Sequence, residues 1–390
     1  MKASIIMHFE RMFKTIYLDN ASTSYPKAPG VGKAMAQYIE ELGINVSRGS
    51  YAAALEAENA LFTLRERLCA LFHSNCAEAC IVTCGATFGL NMVLKGFLHA
   101  GDRVVVSGME HNAVMRPLRQ MAGVQVERTP CFADGSLDMD AFERLLEAPV
   151  QLVCFTHASN VCGTVMPILE IGTLCRERGI PFVVDASQTV GHLPIDCEAM
   201  GIDALVFSAH KGLLGPQGIG AAILTRRFAE ALSPFVTGGT GSRSDIEEQP
   251  LFLPDKLESG TPNLPGIYGF LAALDFWEPR AQAFGLQAKS LLAQLLAGLE
   301  DIAGIRVLGT KAPETQVGVV SIDFLQSDNA QIALRLEREH GILTRCGLHC
   351  APAAHHTLHT FPAGTVRFSL GYSNTSDQMD RVIQAVRSLA

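Results

Sequence analysis

Short apolar runs alternate with stretches of helical periodicity along most of this chain. Seven runs are strand-like: IYLDN (16–20), CIVTCGA (80–86), RVVVSG (103–108), VQLVCFTHAS (150–159), PFVVDASQ (181–188), ALVFSAH (204–210) and GIGAAILT (218–225). Between the first two runs, residues 52–72 place apolar side chains at helical spacing. Strands that alternate with helices predict a mainly parallel sheet with helices on both faces, which is an α/β fold.

The pattern changes near residue 264. A long helical stretch follows, then a strand pair near IRVLG and VGVVSIDF, another helix and a last strand, VRFSLG. A chain of 390 residues is longer than one compact core usually fills. We therefore expect a large domain over residues 16–263, with part of its N-terminal segment packing on a smaller α+β domain over residues 264–390.

Composition and charge exclude several classes of protein. The net charge is −8 and no basic block occurs, which argues against a nucleic-acid or anionic-membrane partner. The uncharged run 148–169 contains polar residues, a glycine and two prolines, so it does not predict a membrane-spanning helix. The eleven cysteines are scattered without a CxxC pair, which favours reduced thiols and a cytoplasmic protein. His355, His356 and His359 match no zinc pattern, so no metal site is expected.

One lysine stands among small and apolar residues in SAHKGLLGPQGIG. Such an environment lowers the pKa of a lysine, so Lys211 can act as a nucleophile or a base. Asp185 ends an apolar strand 26 residues earlier, one strand-helix-strand step away. Pyridoxal phosphate fits this pair, because a carboxylate keeps the ring nitrogen protonated while a lysine binds the aldehyde. The alternative is a helix-capping acid and an incidental lysine.

A phosphate site is predicted where the strand in TCGATFGLN (83–91) turns into an apolar helix. The backbone N–H groups of this turn, at Ala86 and Thr87, and the Thr87 hydroxyl would face the phosphate. Ser208 and His210 add side-chain donors. A turn of this kind is weak evidence alone, since any strand-to-helix turn can resemble it.

The order of these motifs resembles the cysteine desulfurases of the class V aminotransferase family, a fold type I group of pyridoxal phosphate enzymes. The shared motifs are YLDNAST, NVSRGSY, GATFGLN, EHN, HASNVCGT, DASQ, SAHKGLLGPQGIG, ESGTPN and VRFSLGYSN. The resemblance implies a mainly parallel seven-stranded sheet flanked by helices, a smaller C-terminal domain and a homodimer. Because it begins at YLDNAST, we expect residues 1–15 to be an N-terminal extension, with Met12 as an alternative start.

The resemblance also implies roles for individual residues. It makes Lys211 the cofactor lysine, Asp185 the partner of the ring nitrogen and Gln188 a donor to the ring oxygen. His111 would stack on the ring, and Asn160 would contact both cofactor and substrate. The implied phosphate ligands are Ala86, Thr87, Ser208, His210 and, from the second subunit, Thr261. Arg367 would hold the substrate carboxylate as a planar fork, although a surface arginine at a strand end is the alternative.

The segment TRCGLHCAPAAHHTLH (344–359) carries a cysteine pattern. Desulfurases of the second group, the one that includes selenocysteine lyases, carry Arg-x-Gly-His-His-Cys-Ala, and residues 345–351 match it except that Leu348 replaces a histidine. The resemblance therefore implies that Cys350 forms a persulfide. Cys346, four residues earlier, is the alternative reactive thiol, but we interpret it as a buried structural cysteine.

The implied reaction converts L-cysteine to L-alanine and passes sulfur from Cys350 to an acceptor protein or small thiol. Because Leu348 replaces a histidine of the motif, the sequence leaves open which group of the loop donates or accepts protons. It also leaves open whether a sulfur or a selenium substrate is preferred. Selenocysteine lyase and cysteine sulfinate desulfinase activities therefore stay open. A class V aminotransferase, which needs no Cys350, and a non-catalytic pyridoxal phosphate protein are the remaining alternatives.

Overall fold

A computed structural model describes residues 15–46 and 51–390 of the chain. The strands are β1 Ile16–Tyr17, β2 Cys80–Thr83, β3 Arg103–Ser107, β4 Gln125–Thr129, β5 Leu152–Thr156, β6 Phe182–Asp185, β7 Ala204–Ser208, β8 Gly220–Leu224, β9 Ile305–Leu308, β10 Val319–Phe324, β11 Ile342–Leu343, β12 Arg345–Gly347 and β13 Thr365–Ser369. The helices are α1 Val31–Gln37, α2 Ala52–Leu71, α3 Ala86–Phe97, α4 Asn112–Gln120, α5 Met139–Leu145, α6 Ile168–Glu177, α7 Arg226–Ala231, α8 Leu264–Trp277, α9 Ala281–Glu300, α10 Asn329–His340, α11 Pro352–Thr357 and α12 Ser376–Leu389.

The largest sheet has seven strands in the order β2-β8-β7-β6-β5-β3-β4. Four pairs, from β4 to β7, are parallel, and only β8 runs antiparallel to both of its neighbours. The expected mainly parallel sheet is confirmed. The run IYLDN is not one of its strands, because β1 pairs with β11 instead. The seventh strand is β4, which the apolar pattern missed because this edge strand leaves most of its residues exposed or half-exposed.

Both faces of the large sheet are buried. Along β5, Val153 and Phe155 belong to one apolar core, and Leu152 and Cys154 belong to the core on the opposite face. Successive side chains of a strand point to opposite faces, so a strand covered on both sides is apolar throughout. This is why the central strands appear in the sequence as continuous apolar runs.

A second sheet, β12-β13-β10-β9, is antiparallel and packs on helices from the C-terminal part of the chain. Its core also contains Ile16 and Leu18, so the first described segment packs with the C-terminal part. Helix α8 buries Leu264, Ile267 and Phe270 in a core of the large sheet. The domain boundary after residue 263 stays a prediction, and the packing of α8 favours a boundary after this helix.

The parallel strands all end at one edge of the large sheet, where open α/β sheets bind ligands. The predicted residues Asp185 and Ser208 are the last residues of β6 and β7. His111 and Asn160 follow β3 and β5 by four residues each. Residues 1–14 of the proposed N-terminal extension, with the alternative start at Met12, lie outside the described residues. Within the described ranges, none of the helices combines the length and apolar character that a bilayer span requires.

Candidate active site

A cavity of about 220 Å³ opens at this edge of the sheet. It is lined by ten of the residues singled out in the sequence: Ala86, Thr87, His111, Asn160, Asp185, Gln188, Ser208, His210, Lys211 and Arg367. Cys350 is exposed on a loop beside the cavity, where the Arg345 guanidinium of the cavity wall contacts its sulfur. Thr261 is exposed and does not line the cavity.

Asp185 and Lys211 place a buried carboxylate and an amine in one cavity. Asp185 is 3% exposed, and its Oδ1 accepts hydrogen bonds from the backbone and hydroxyl of Ser187 at 3.0 and 2.5 Å. Among the described residues it forms no ion pair. Burial lowers the pKa of Lys211 to about 8, against the opposing effect of Asp185. A carboxylate without a cation and an amine that is easily deprotonated are therefore both available to a ligand.

Hydrogen-bond donors gather at the N-terminus of α3. The Ser208 hydroxyl accepts a hydrogen bond from Ala86 N at 2.8 Å, and Thr87 and His210 line the same cavity. Gly85 caps this helix at φ +139°, a conformation that L side chains rarely adopt, and a Cβ there would approach Ser208 Oγ to 3.2 Å. The Ala86 N–H, predicted to face a phosphate, donates to Ser208 instead, and the cavity beside this helix N-terminus, lined by Thr87, Ser208 and His210, is a suitable site for an anion.

Asn160 and Asn112, the residue after His111, both connect the cavity to the cysteine loop. His111 is the N-cap of α4, and its Nδ1 accepts a hydrogen bond from Ala113 N at 3.0 Å. Burial lowers the pKa of His111 to about 4, so the ring is neutral at pH 7 with its hydrogen on Nε2. The backbone of Cys350 accepts a hydrogen bond from Asn112 N at 2.8 Å. Asn160 Nδ2 donates to the backbone oxygen of His349, at 2.6 Å.

Arg367 is 1% exposed and is not the surface arginine that the sequence left as an alternative. Its Nη2 donates to Asp19 and to the Ser22 hydroxyl, both at 2.8 Å, and its Nη1 donates to the backbone oxygen of Asn160 at 3.0 Å. Its Nε is buried and has no partner among the described residues. A buried N–H without an acceptor favours a ligand that supplies one.

The loop that carries Cys350 has an unusual backbone. His349 and Cys350 have φ of +48° and +58°, and the His349 side chain is buried while Cys350 is exposed. Arg345 Nη2 lies 3.7 Å from Cys350 Sγ. Cys346, in β12, is half-buried, and burial raises the pKa of its thiol. Of these two cysteines, Cys350 is the one that can contact a substrate from solvent.

Histidines near this loop do not form a metal site. His355 is fully buried, and its Nδ1 lies 2.7 Å from the Thr360 hydroxyl. In the part of the chain that the structure describes, no group of three or more histidine, cysteine or acidic side chains is arranged to hold a metal ion.

Four residues around the cavity were missed as site residues in the sequence. Asp19 and Ser22 come from YLDNAST, and Arg345 and His349 come from the cysteine segment. Ser22 Oγ accepts a hydrogen bond from Arg345 at 2.9 Å as well as from Arg367. Both sequence segments were noted as motifs, but a motif does not indicate which of its side chains contact one another in the folded chain.

A larger cavity, of about 700 Å³, lies between residues 191–200 and helices α8 and α9. Its lining is mostly apolar, and charged side chains at its edge pair with one another, as Lys289 does with Glu314. It contains no arrangement of carboxylate, amine and thiol like that beside Asp185. We therefore assign the candidate active site to the smaller cavity.

Comparison with known proteins gives consistent matches over nearly the whole chain. The family model described as aminotransferase class-V matches residues 16–382. A probable cysteine desulfurase of Methanothermobacter thermautotrophicus is 32% identical and covers 96% of this chain and 94% of the relative. A probable cysteine desulfurase of Xylella fastidiosa is 34% identical, with 95% and 90% covered. The apo structure of a cysteine desulfurase from Thermococcus onnurineus superposes with a TM-score of 0.89 at 27% identity, covering 96% of this chain and 94% of that one.

Proposed function

Since this chain belongs to the class-V aminotransferase family, we propose that it is a pyridoxal-phosphate-dependent cysteine desulfurase. It would convert L-cysteine to L-alanine and carry the released sulfur as a persulfide on Cys350. The observation that supports this reaction best is an exposed thiol, Cys350, held by Arg345 beside the cavity that contains Lys211 and Arg367. The relatives named as cysteine desulfurases support the choice of substrate.

The donor set of the cavity fits pyridoxal phosphate. Asp185 offers a buried carboxylate without a cation, which suits a protonated ring nitrogen. Thr87, Ser208 and His210 offer donors at a helix N-terminus, which suits a phosphate. Lys211 offers an amine for the aldehyde. The bound cofactor would supply an electron sink for the charge that develops at the substrate Cα.

The remaining side chains of the cavity would contact the ring. His111 presents a neutral imidazole, and Gln188 is held by a hydrogen bond from its Nε2 to the backbone oxygen of Ala21 at 3.1 Å. Asn160 is held between the cysteine loop and Arg367. These bonds hold Asn160 and Gln188 in place before any ligand arrives, and such preorganisation reduces the free-energy cost of binding.

Arg367 would orient the substrate through its carboxylate. The free Nε–H points to an acceptor, and a carboxylate is the acceptor that best matches the planar guanidinium. Asp19 and Ser22 hold the guanidinium in place through Nη2, and the backbone oxygen of Asn160 holds it through Nη1. A rigid arginine of this kind fixes the direction of the substrate side chain, which must reach Cys350.

Lys211 would move the proton of the substrate Cα. Its amine is uncharged in about a tenth of the molecules at pH 7 and in about half at pH 8, because burial lowers its pKa to about 8. A base whose pKa lies near the working pH is efficient at proton transfer. The same amine can return a proton to the carbon skeleton that leaves as alanine.

Cys350 would accept the sulfur. Its thiolate attacks the substrate sulfur, an S–S bond forms, the Cβ–S bond breaks, and the bonding electrons stay with the carbon skeleton, which is protonated to alanine. The substrate carbon is reduced, and the sulfur is held as a persulfide on Cys350. Arg345, at 3.7 Å from the sulfur, donates to it and faces the charge that the reaction places there.

The deciding experiment measures alanine and sulfide together from the purified, cofactor-loaded protein. With L-cysteine and a reducing thiol we expect equal yields of the two products over many turnovers, because each Cβ–S cleavage gives one alanine and one persulfide, which the thiol then reduces to one sulfide. Alanine formed only in the presence of a keto acid, without sulfide, would instead identify an aminotransferase. If cysteine gives neither product, selenocysteine and cysteine sulfinate are the next substrates to test.

We also propose that the protein is a homodimer. Thr261 is exposed in its own subunit. A residue that binds the phosphate held by the other subunit has to lie at the surface in this way. Apolar side chains are exposed at Tyr51, Leu55 and Phe62, on and next to α2, which is unusual for a free surface. Sedimentation equilibrium should give twice the chain mass of 41.9 kDa. A stable monomer with full activity would contradict this proposal.

The sulfur acceptor, a protein or a small thiol, would approach the exposed side of Cys350. We place the reaction in the cytoplasm, since all eleven cysteines are unpaired and such a number of free thiols suits a reducing compartment.

A further inference from the structure

Lys27 lies behind the cavity wall and makes three hydrogen bonds. Its Nζ donates to the backbone oxygen of His210 at 2.7 Å and to the hydroxyls of Thr23 and Ser24 at 3.0 Å each. It forms no ion pair with a carboxylate of the described residues. The ammonium is half-buried, and burial lowers its pKa to about 8. All three of its hydrogens are therefore used on one carbonyl and two hydroxyls.

The backbone carbonyl of His210 has more hydrogen-bond donors within reach than its oxygen has lone pairs to accept them. Besides Lys27 Nζ, it is approached by Ser24 N at 2.9 Å, Ser24 Oγ at 3.0 Å and Thr23 Oγ1 at 3.2 Å. A carbonyl oxygen has two lone pairs, so the two closest donors, Lys27 and the Ser24 backbone, satisfy it. The hydrogen of the Thr23 hydroxyl is then free to go to another acceptor.

That other acceptor is the His210 ring. Thr23 Oγ1 lies 3.0 Å from His210 Nδ1 and already accepts a hydrogen bond from Lys27. The ring is neutral at pH 7, because burial and the nearby Lys211 and Lys27 lower the pKa of His210 to about 4. When Thr23 donates to Nδ1, the single ring hydrogen must lie on Nε2.

We propose that Lys27 is a positioning residue that acts through Thr23 to keep His210 as the Nε2–H tautomer. The ring then donates a hydrogen bond to an anion at the N-terminus of α3, where Thr87 and Ser208 line the same cavity. With the other tautomer, the lone pair of Nε2 would face the anion and repel it. This inference rests on the proposed function, because the anion is the phosphate of pyridoxal phosphate.

The test compares two ligands that differ only in the phosphate. Dissociation constants of the cofactor-free protein are measured for pyridoxal phosphate and for pyridoxal. Lys27→Met should weaken binding of pyridoxal phosphate about 10-fold or more, the effect of losing a hydrogen bond to a charged group. Its affinity for pyridoxal should change less than about 2-fold, since no phosphate is present to repel. Lys33→Met, at an exposed lysine of α1, is the matched control and should change neither constant.

Two further variants separate this role from a general loss of structure. Thr23→Val keeps the shape of the side chain but removes the hydroxyl that connects Lys27 to His210. It should reproduce the selective loss of affinity for pyridoxal phosphate even if Lys27→Met does not fold. Lys27→Arg keeps the donors and should restore most of the affinity. The tautomer itself is read from the ring ¹⁵N shifts of histidine-labelled protein, assigned with His210→Gln, and Lys27→Met should shift it from Nε2–H towards Nδ1–H.

Three outcomes would overturn the inference. One is an unchanged affinity for pyridoxal phosphate in the Lys27 and Thr23 variants. Another is an equal loss for pyridoxal phosphate and pyridoxal, which would mean that Lys27 only supports the backbone before Lys211. The third is an Nδ1–H tautomer in the wild-type protein. A wild-type protein that does not bind pyridoxal phosphate at all would instead refute the proposed function.

Discussion

Replacing Cys350 with serine is expected to reduce sulfide release from L-cysteine by a factor on the order of 10³ or more, since removing an enzyme nucleophile has effects of this size or larger. Serine keeps the shape of the loop but cannot take the substrate sulfur as a persulfide. The cofactor should still bind normally, because Cys350 lies beside the cavity and does not line it. The measurement is steady-state sulfide and alanine formation, together with the absorption spectrum of the bound cofactor.

Two other cysteines serve as controls for this result. Cys346→Ser changes a half-buried thiol of the same segment, and Cys84→Ser changes an exposed thiol at the end of β2. Both should keep activity within about 3-fold, as expected for residues outside the reaction. Full activity of Cys350→Ser would remove the persulfide step from the proposal. A loss with cysteine but not with cysteine sulfinate would identify the sulfinate, which releases its leaving group without a thiol, as a substrate of the same site.

Replacing Lys211 with alanine is expected to reduce turnover by a factor of about 10⁴ or more, because it removes both the covalent link to the cofactor and the base. The variant should still bind pyridoxal phosphate non-covalently through the phosphate and ring contacts. Borohydride reduction followed by mass spectrometry should locate the cofactor on Lys211 in the wild-type protein and on no residue of the variant. Lys211→Arg, which keeps the charge but cannot form this link, should behave like Lys211→Ala.

The pH dependence of covalent cofactor binding is a second test of Lys211, because it reports the pKa of this amine. The pKa of Lys211 in the cofactor-free protein is lowered to about 8, and only the uncharged amine reacts with an aldehyde. The rate of covalent capture should therefore rise with pH and reach half of its maximum near pH 8. An ordinary exposed lysine would reach this point above pH 10. A half-maximum at such a high pH would show that Lys211 is not in the low-polarity environment that the structure describes.

The alternation of apolar runs and helical stretches was enough to predict the class of fold, because strands covered on both faces carry apolar residues throughout. Six of the seven strands of the large sheet follow from this pattern alone. It failed at the edge strand β4, where Glu127 and Arg128 are exposed and no alternation remains. It also assigned Ile16–Tyr17 to the large sheet by implication, although Ile16, together with Leu18, packs in the core of the C-terminal sheet.

The candidate site was largely predictable because its residues follow the ends of parallel strands. Asp185, Ser208 and Lys211 are close along the chain to strands that end at one edge, so their proximity follows from the fold class. The partners of Arg367 were not predictable in this way. Asp19 is 348 residues away along the chain, lies two residues after β1, and bridges Ser369 of the strand that carries Arg367. Only the packing of the N-terminal segment on the C-terminal sheet brings the two together.

The residue types at the cavity, and hence the chemistry that they can perform, are properties of the sequence alone. The tertiary structure decides the state of each group. It buries Lys211 and so lowers its pKa, leaves Arg367 Nε without an acceptor, and exposes Cys350 while Cys346 is half-buried. The physical reason is that desolvation and hydrogen bonding depend on atoms contributed by distant parts of the chain, and these distances are set only when the whole fold has formed.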